Sequence, residues 1–261
     1  MIGIFDSGVG GLTVVRELRK QLPEYDLIYF GDTARTPYGN KSKDTIIKYA
    51  LEDANFLIQK GAKIIIVACN TASSVAYEVL KEKYPNIPIF EVIMPAVEQA
   101  IEATRKNRIG VIGTRATISS RVYEQKLKEK NGALIIKSQA CPLFVPFIEE
   151  GWIKKIELKM IARRYLSSLK HQNIDTLILG CTHYPIIKNI IQEKIGRRVR
   201  LIDSAEAVSK KVKKFIEGGN LELPKTGKLE IYLSDKTEYS INIINRILGN
   251  NAKVYEGGNI K

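Results

Sequence analysis

The sequence has few of the features that would mark a membrane, secreted or metal-binding protein. None of its apolar runs approaches the ~20 residues that a membrane helix needs. Residues 1–5 predict a strand and lack a basic leader and a cleavage site, so no signal peptide is expected. The three cysteines, Cys69, Cys141 and Cys181, are an odd number without the paired spacing of a metal site. We therefore expect a reduced, cytoplasmic protein with no metal and no membrane partner.

Common cofactor motifs are also missing. In the glycine-rich turn at 6–11, the third glycine of a dinucleotide fingerprint would fall at Thr13. The Gly-Lys-Ser/Thr of a phosphate loop is absent, and no lysine stands in a context that indicates pyridoxal phosphate. A carboxylate is thus a better ligand for the backbone amides of this turn than a pyrophosphate. A tight turn that needs positive φ is the structural alternative. No cofactor is expected.

Acidic residues are outnumbered by basic ones, 28 against 41, which gives a formal charge of +13. Such an excess is compatible with a basic nucleic-acid-binding protein, which remains a remote alternative. The basic residues are, however, spread over predicted helical surfaces, often beside glutamate and without interleaved aromatics. We interpret them as solvated faces, or as a field that attracts a small acidic substrate. No nucleic-acid partner is expected.

The sequence does contain one pattern twice, a buried strand followed by a cysteine. Residues 64–67 are β-branched and apolar, which predicts a strand covered on both faces, and Cys69 then precedes a predicted helix at 72–83. Residues 176–179 repeat the pattern before Cys181, and a helix is predicted from Pro185. Ligands bind at this edge of open α/β sheets. We predict two similar halves that each present one thiol to a shared cleft.

Predicted strands and helices alternate along all 261 residues, which predicts an α/β fold with mostly parallel sheets. The alternation restarts near Met94. The strands predicted at 228–233 and 253–255 are expected to return to the first domain, because the second has its own set. The predicted division is 1–94 with 207–261 for the first domain, and 95–206 for the second.

Two thiols on opposite faces of one carbon can invert the configuration of that carbon. A thiolate on one face removes a proton, and a thiol on the other face returns one. A free thiol has a pKa of ~8.5, so each cysteine needs an activating neighbour. His183 shares a face with Cys181 on an extended backbone, and Asp6 is the candidate for Cys69.

Donors are also needed around the charge that develops on the carbon. The candidate side chains are Ser7, Asn70, Thr71, Thr114, Thr117 and Thr182. Structural alternatives apply to several residues. Cys141 is interpreted as a small buried hydrophobe, and His171 as a surface residue. His183 could be a core histidine or, with Cys181, a metal ligand, although further ligands at zinc spacing are absent.

Four segments together carry a resemblance to a known family. Residues 5–12 (FDSGVGGL), 37–39 (PYG), 68–72 (ACNTA) and 180–185 (GCTHYP) resemble, in this order, the glutamate racemases of the aspartate/glutamate racemase family. The resemblance covers nearly the whole chain. It implies a cofactor-independent, two-base racemase that makes D-glutamate from L-glutamate for peptidoglycan. It also implies two doubly wound α/β domains related by a pseudo-twofold, with the active site in the cleft between them.

Carried over by position, the resemblance implies that Cys69 and Cys181 are the acid/base pair, assisted by Asp6 and His183. The implied substrate contacts are Asp6, Ser7, Tyr38, Gly39, Asn70, Thr71, Thr182 and His183, with Thr114, Thr117 and Glu149 nearby. Glu149 is equally compatible with a plain surface position. The implied partners are glutamate and a second copy in a homodimer, whose interface stays open. An aspartate racemase or another two-cysteine isomerase is the alternative.

Overall fold

The computed structural model describes residues 1–219, 221–249 and 253–257. Its strands pair in parallel throughout and form two separate sheets. In chain order the strands are β1 (Ile2–Asp6), β2 (Leu27–Gly31), β3 (Ile64–Val67), β4 (Ile89–Glu91), β5 (Arg108–Gly113), β6 (Ile135–Ala140), β7 (Thr176–Gly180), β8 (Arg200–Asp203), β9 (Leu229–Leu233) and β10 (Val254–Glu256).

Helices alternate with these strands and cover both faces of each sheet. They are α1 (Leu12–Gln21), α2 (Lys43–Gln59), α3 (Asn70–Lys83), α4 (Ile93–Ala103), α5 (Arg115–Ser119), α6 (Val122–Lys130), α7 (Phe144–Glu149), α8 (Ile156–His171), α9 (Lys188–Ile195), α10 (Ser204–Glu217) and α11 (Glu238–Leu248). Short 3₁₀ turns lie at Thr33–Arg35, Tyr38–Asn40 and Tyr184–Ile187. Within the described ranges, no helix combines the length and apolar character needed to cross a bilayer.

The two sheets share one strand order. The first runs β10-β9-β2-β1-β3-β4, and the second runs β6-β5-β7-β8. When β9 and β10 are set aside, the order across the first sheet is β2-β1-β3-β4, which matches β6-β5-β7-β8 in the second sheet strand for strand. β3 and β7 are therefore equivalent strands, and the residues that follow them lie at equivalent sheet edges. The predicted α/β class with mostly parallel sheets is confirmed.

The apolar run of β3 is continuous because both of its faces are covered. Ile64 and Ile66 pack into a core with α1 and α10, whereas Ile65 and Val67 pack into a second core with α2 and α3. The side chains of β7 divide between two cores in the same alternating way. This two-sided burial is what a parallel sheet between helical layers requires.

Some element boundaries differ from the sequence-based expectation. The sequence predicts a strand at 87–93, but the structure shortens it to β4, because the Glu91 carboxylate accepts the backbone N–H groups of Ile93 and Met94 and so caps α4. The helix expected from Pro185 begins as a 3₁₀ turn, and α9 starts only at Lys188. The sequence also predicts Ser42 as the cap of a long helix to Lys60, and this cap is confirmed, since the Ser42 Oγ accepts the N–H of Thr45 at 3.3 Å.

The division into domains at 94/95 and 206/207 stays a prediction. Position 94 lies in the first turn of α4, and position 207 lies within α10. β9 and β10 pair with the first sheet next to β2. Positions 220, 250–252 and 258–261 of the expected first domain lie outside the described residues.

Candidate active site

Two thiols from equivalent strands meet at one cavity. Cys69 follows β3, Cys181 follows β7, and each is only 5% exposed. Both line a cavity of about 30 Å³ between the sheets. A single water needs about 10–15 Å³, so this narrow space has room for only a few waters. A ligand the size of an amino acid enters only if the walls move apart.

Ten of the predicted site residues line this cavity: Cys69, Cys181, Ser7, Tyr38, Gly39, Asn70, Thr71, Thr114, Thr182 and His183. Three others, Asp6, Thr117 and Glu149, lie one layer behind and touch residues of the lining. The lining also includes Thr36, Pro37 and Val145. Of these, Pro37 belongs to a segment that the sequence analysis singled out. Val145 carries no signal, because an apolar residue on a short helix looks like any core residue.

The Cys69 thiol is buried beside the Ser7 hydroxyl and close to the carboxyl group of Asp6. Its Sγ donates to the hydroxyl of Ser7 at 3.5 Å. Burial, together with the negative charge of Asp6, raises the pKa of Cys69 to about 12. At neutral pH this group is therefore a thiol, ready to give a proton.

Asp6 occupies the glycine-rich turn itself. Its Oδ2 accepts the N–H groups of Gly8 at 3.2 Å and Gly11 at 3.0 Å, and Oδ1 accepts the Thr182 hydroxyl at 3.3 Å. Burial raises the pKa of Asp6, although His183 and these donors act in the opposite direction. A carboxylate of the chain itself thus occupies two of the amides of this turn, whereas Ser7 of the same turn lines the cavity.

The Cys181 thiol has a base as its neighbour. Its Sγ lies 3.9 Å from Nδ1 of His183, whose Nε2 lies 3.2 Å from Oε1 of Glu149. The Nε2 contact has the distance of an ion pair, but its direction does not satisfy a hydrogen bond. Burial lowers the pKa of His183, yet Cys181 and Glu149 together raise it well above its usual range. The Cys181 sulfur thus lies beside an imidazole whose protonated form these two neighbours favour.

A cluster of three hydroxyls joins the two halves. Thr71 lies 3.0 Å from Thr114 and 3.2 Å from Thr117, and these two are 3.0 Å apart. Thr114 also caps α5 by accepting the N–H of Thr117 at 3.2 Å. Gly39 lies directly on this cluster, since a Cβ added there would be 2.8 Å from Cβ of Thr114. The cluster therefore offers donors at the point where the halves touch.

Two of the predicted contacts already have their side-chain polar atoms bonded to other residues. The hydroxyl of Tyr38 bonds to Asp32 and Asp53. Oδ1 of Asn70 accepts the Tyr123 hydroxyl at 2.6 Å, and its Nδ2 donates to Ser204 at 3.4 Å. These bonds hold both side chains in place at the cavity wall. The sequence analysis did not find Asp32 and Asp53, because a carboxylate on a loop or a helix is most often solvated.

Cys141 lies outside the cavity lining, in the apolar core beneath α7 and α8. His171 is exposed at the end of α8. In the part of the chain that the structure describes, no three His, Cys, Asp or Glu side chains are grouped so that they could hold a metal. The chemistry that this site offers is acid–base chemistry by sulfur, imidazole and carboxyl groups.

Comparison with known proteins gives the same architecture and a family. Residues 12–212 match the Asp/Glu/Hydantoin racemase family. The glutamate racemase of Geobacter metallireducens is 48% identical over 250 residues, which cover 95% of this chain and 92% of that protein. The glutamate racemase of Francisella tularensis, solved in complex with D-glutamate, is 40% identical with a TM-score of 0.90, covering 97% of this chain and 95% of the other.

A glutamate racemase of Bacillus anthracis aligns with a TM-score of 0.93 at 35% identity, over 98% of this chain and 96% of the other. These matches span both sheets and both cysteine strands, and each covers more than nine-tenths of both chains compared. The chain therefore belongs to the Asp/Glu/Hydantoin racemase family and, within it, to the glutamate racemases.

Proposed function

We propose that this chain interconverts L- and D-glutamate by proton transfer between Cys69 and Cys181, without a cofactor. The observation that carries the proposal is that two thiols from equivalent strands of two sheets line one cavity. The D-glutamate bound to the Francisella tularensis relative supports glutamate as the substrate. Because that relative shares 40% of its residues over nearly the whole chain, the same substrate is proposed here.

The different surroundings of the two sulfurs support a starting arrangement. Cys181, beside protonated His183, is the thiolate that removes the α-proton from one face of the carbon. Cys69, a thiol at neutral pH, gives its proton to the other face. The C–H bond breaks on one side and a new C–H bond forms on the other, which leaves Cys181 protonated and Cys69 ionised. The reverse reaction exchanges these roles, with Asp6 and His183 as the groups that assist each thiol.

The α-proton of an amino acid is a weak acid, so proton transfer alone is insufficient. General acid–base help contributes about 10²–10⁴-fold. Donors must also surround the developing charge in a site that excludes water. We assign this role to the hydroxyls of Ser7, Thr71, Thr114 and Thr182 and to the turn at Tyr38 and Gly39. The buried hydroxyl cluster and the small cavity support that assignment.

We propose three further properties on the resemblance to the racemases. The product D-glutamate supplies peptidoglycan synthesis, the enzyme acts in the cytoplasm, and it works as a homodimer. Depletion of the protein in its host should stop growth, and added D-glutamate should restore it. Light scattering of the purified chain should give twice the mass of 29.3 kDa. Continued growth after depletion, or no rescue by added D-glutamate, would contradict the role in peptidoglycan synthesis. A monomer at working concentration would contradict the homodimer.

Circular dichroism of the purified protein with L-glutamate tests the main proposal. The signal should decay to zero with L-glutamate and persist with L-aspartate, and activity on aspartate alone would overturn the assignment. In deuterated water the product should carry α-deuterium, whereas an unlabelled product would contradict the two-thiol scheme. Duplex binding that survives moderate salt, without racemisation, would favour the nucleic-acid alternative, because purely electrostatic binding falls steeply with salt.

A further inference from the structure

A group of buried charges lies behind the Tyr38 turn and has no role in the proposed proton transfer. Asp32 and Asp53 are 0% exposed, and Tyr38 is 1% exposed. Nε of Arg35 lies 2.6 Å from Oδ2 of Asp32, and its Nη2 lies 3.1 Å from Oδ1 of Asp53. Arg35 also forms an ion pair with Glu52. Three carboxyl groups thus share one partly buried guanidinium, and two of the three, Asp32 and Asp53, are closed to solvent.

The hydroxyl of Tyr38 touches two of these carboxyl groups. Its oxygen contacts Oδ2 of Asp32, and it lies 2.9 Å from Oδ2 of Asp53. A phenol has one proton and can donate to only one of them. Asp32 also accepts from Arg35 and from the Ser234 hydroxyl at 2.9 Å, which is the pattern of an ionised carboxylate. The second contact, between Tyr38 and Asp53, therefore needs a proton of its own.

We propose that Asp53 is a protonated carboxylic acid that donates a hydrogen bond to Tyr38 and thereby positions the Tyr38–Gly39 turn in the site. With Asp53 neutral, Arg35 faces two negative charges in place of three. Burial, and then the charge of Asp32, raises the pKa of Asp53 well above its usual range, which agrees with this arrangement. Asp53 is thus a positioning residue, and its role rests on the proposed function of the site.

The turn transmits this hydrogen bond to the cavity. Tyr38 and Gly39 both belong to the lining, and Gly39 presses on Thr114 of the hydroxyl cluster. Without the donor at position 53, one side of the Tyr38 hydroxyl loses its partner in a buried site, and the turn is free to shift. The two thiols are untouched by this change. Substrate binding should therefore weaken more than the rate of proton transfer.

Steady-state racemisation of glutamate separates these effects. Asp53→Ala is expected to raise KM about tenfold and to change kcat less than about threefold. Asp53→Asn, whose amide can donate to Tyr38 and accept from Arg35, should stay within about twofold of the wild type in both constants. Asp44→Asn, exposed in the first turn of α2, is the matched control. An unchanged KM in Asp53→Ala, or equal damage in Asp53→Asn, would overturn the inference.

A double variant tests the route through the tyrosine. Tyr38→Phe removes the hydroxyl that Asp53 holds, so Asp53→Ala should add almost nothing to KM in that background. If the fold-increases in KM of the two single variants instead multiplied in the double variant, the proposed route would be overturned. If the wild type fails to racemise glutamate, the proposed function falls, and the following measurement of the protonation state still decides the hydrogen-bond assignment.

The pH dependence of Tm reports the proton on Asp53 directly. The unfolded chain releases that proton near pH ~3.9, whereas the folded chain keeps it to higher pH. The wild type therefore loses stability as pH rises towards the folded pKa, and Asp53→Asn has no such loss. The Tm of Asp53→Asn minus that of the wild type should rise between about pH 5 and pH 8. A difference that stays constant over this range would show an ionised Asp53 and overturn the inference, even if Asp53→Ala does not fold.

Discussion

The Cys69 half and the Cys181 half use the same backbone position with different chemistry around it. Phe5 pairs with Val67 in the first sheet, and Gly113 pairs with Gly180 in the second. This register places Asp6 beside the residue before Cys69, as Gly113 lies beside the residue before Cys181. The carboxyl group next to one thiol is therefore replaced by a glycine next to the other.

On the other side of each thiol, it is Cys181 that has the ionisable neighbour. Two residues after Cys69 stands Thr71, whereas two residues after Cys181 stands His183. Each half thus supplies one assisting group, but from a different element: β1 in the first and the loop after β7 in the second. A symmetric reaction needs two equivalent sulfurs, and it tolerates assistants that differ as long as each can exchange a proton.

The two assisting residues, Asp6 and His183, also contact the opposite half of the molecule. Thr182 donates to Asp6 at 3.3 Å, and Gly10 lies against His183. The two halves therefore form one interlocked site and not two independent ones. Substitutions in each half test how far the two depend on each other.

Removing either sulfur tests whether both halves are needed. Cys69→Ser and Cys181→Ser should each lower kcat by about 10³-fold or more while the far-ultraviolet circular dichroism stays unchanged, because a hydroxyl is a far weaker acid than a thiol and its anion is not populated at neutral pH. Cys141→Ala, which changes the thiol outside the cavity lining, should stay within about threefold of the wild type. A variant of either cavity cysteine that keeps most of its activity would show that one half suffices.

Removing either assistant tests whether their roles are separate. Asp6→Asn and His183→Asn should each lower kcat by about 10²–10⁴-fold. Only Asp6→Asn removes a charge that, after burial, raises the pKa of Cys69. In a Cys141→Ala/Cys181→Ser background, iodoacetamide should therefore label Cys69 at lower pH with Asp6→Asn than with His183→Asn. Equal shifts in both variants would contradict the separation.

Gly10 tests the contact between the halves. A Cβ at this position would lie 2.4 Å from Nδ1 of His183 and 2.6 Å from Oγ1 of Thr182, so Gly10→Ala must displace the imidazole. A displacement of about 1 Å in a catalytic group costs roughly 10²-fold in rate. Gly132→Ala, where nothing lies within 4 Å of the added Cβ, is the matched control and should be neutral. Full activity of Gly10→Ala would show that the imidazole position does not matter.

Glu149→Gln has the smallest expected effect, about tenfold or less in kcat/KM. Without the Glu149 carboxylate, the raised pKa of His183 moves down, so the alkaline limb of the pH–rate profile should move to lower pH. A histidine whose pKa is higher in the folded chain than in the unfolded chain stabilises the fold at any pH below the unfolded pKa. This stabilisation is lost as the pH rises through the folded pKa. The Tm deficit of Glu149→Gln should therefore shrink at high pH. Glu150→Gln, exposed beside it, should leave the profile unchanged.

The sequence predicted those parts of the site that follow from local pattern. An apolar run with a cysteine at its end identifies a buried strand and the residue at the sheet edge, so both thiols and the hydroxyls near them were found. Ser42 was recognised as a cap because its hydroxyl bonds only three residues away. Asp53 was not found, because its contact with Tyr38 joins a loop to the third turn of α2. Asp32 lies in the same loop as Tyr38, but no local pattern distinguishes its carboxyl group from a solvated one.

The α/β class, the repeated strand-and-cysteine unit and the racemase family could be recognised from the sequence alone, because hydrophobic periodicity and short motifs lie in consecutive residues. Three contacts emerge only in the folded chain: Asp6 accepts two amides of its own turn, Glu149 faces His183, and the Tyr38 hydroxyl bonds to Asp32 and Asp53. These facts depend on which buried polar groups find partners across the chain. Burial makes an unpaired polar group costly, and the partner that relieves this cost is chosen in space and not along the sequence.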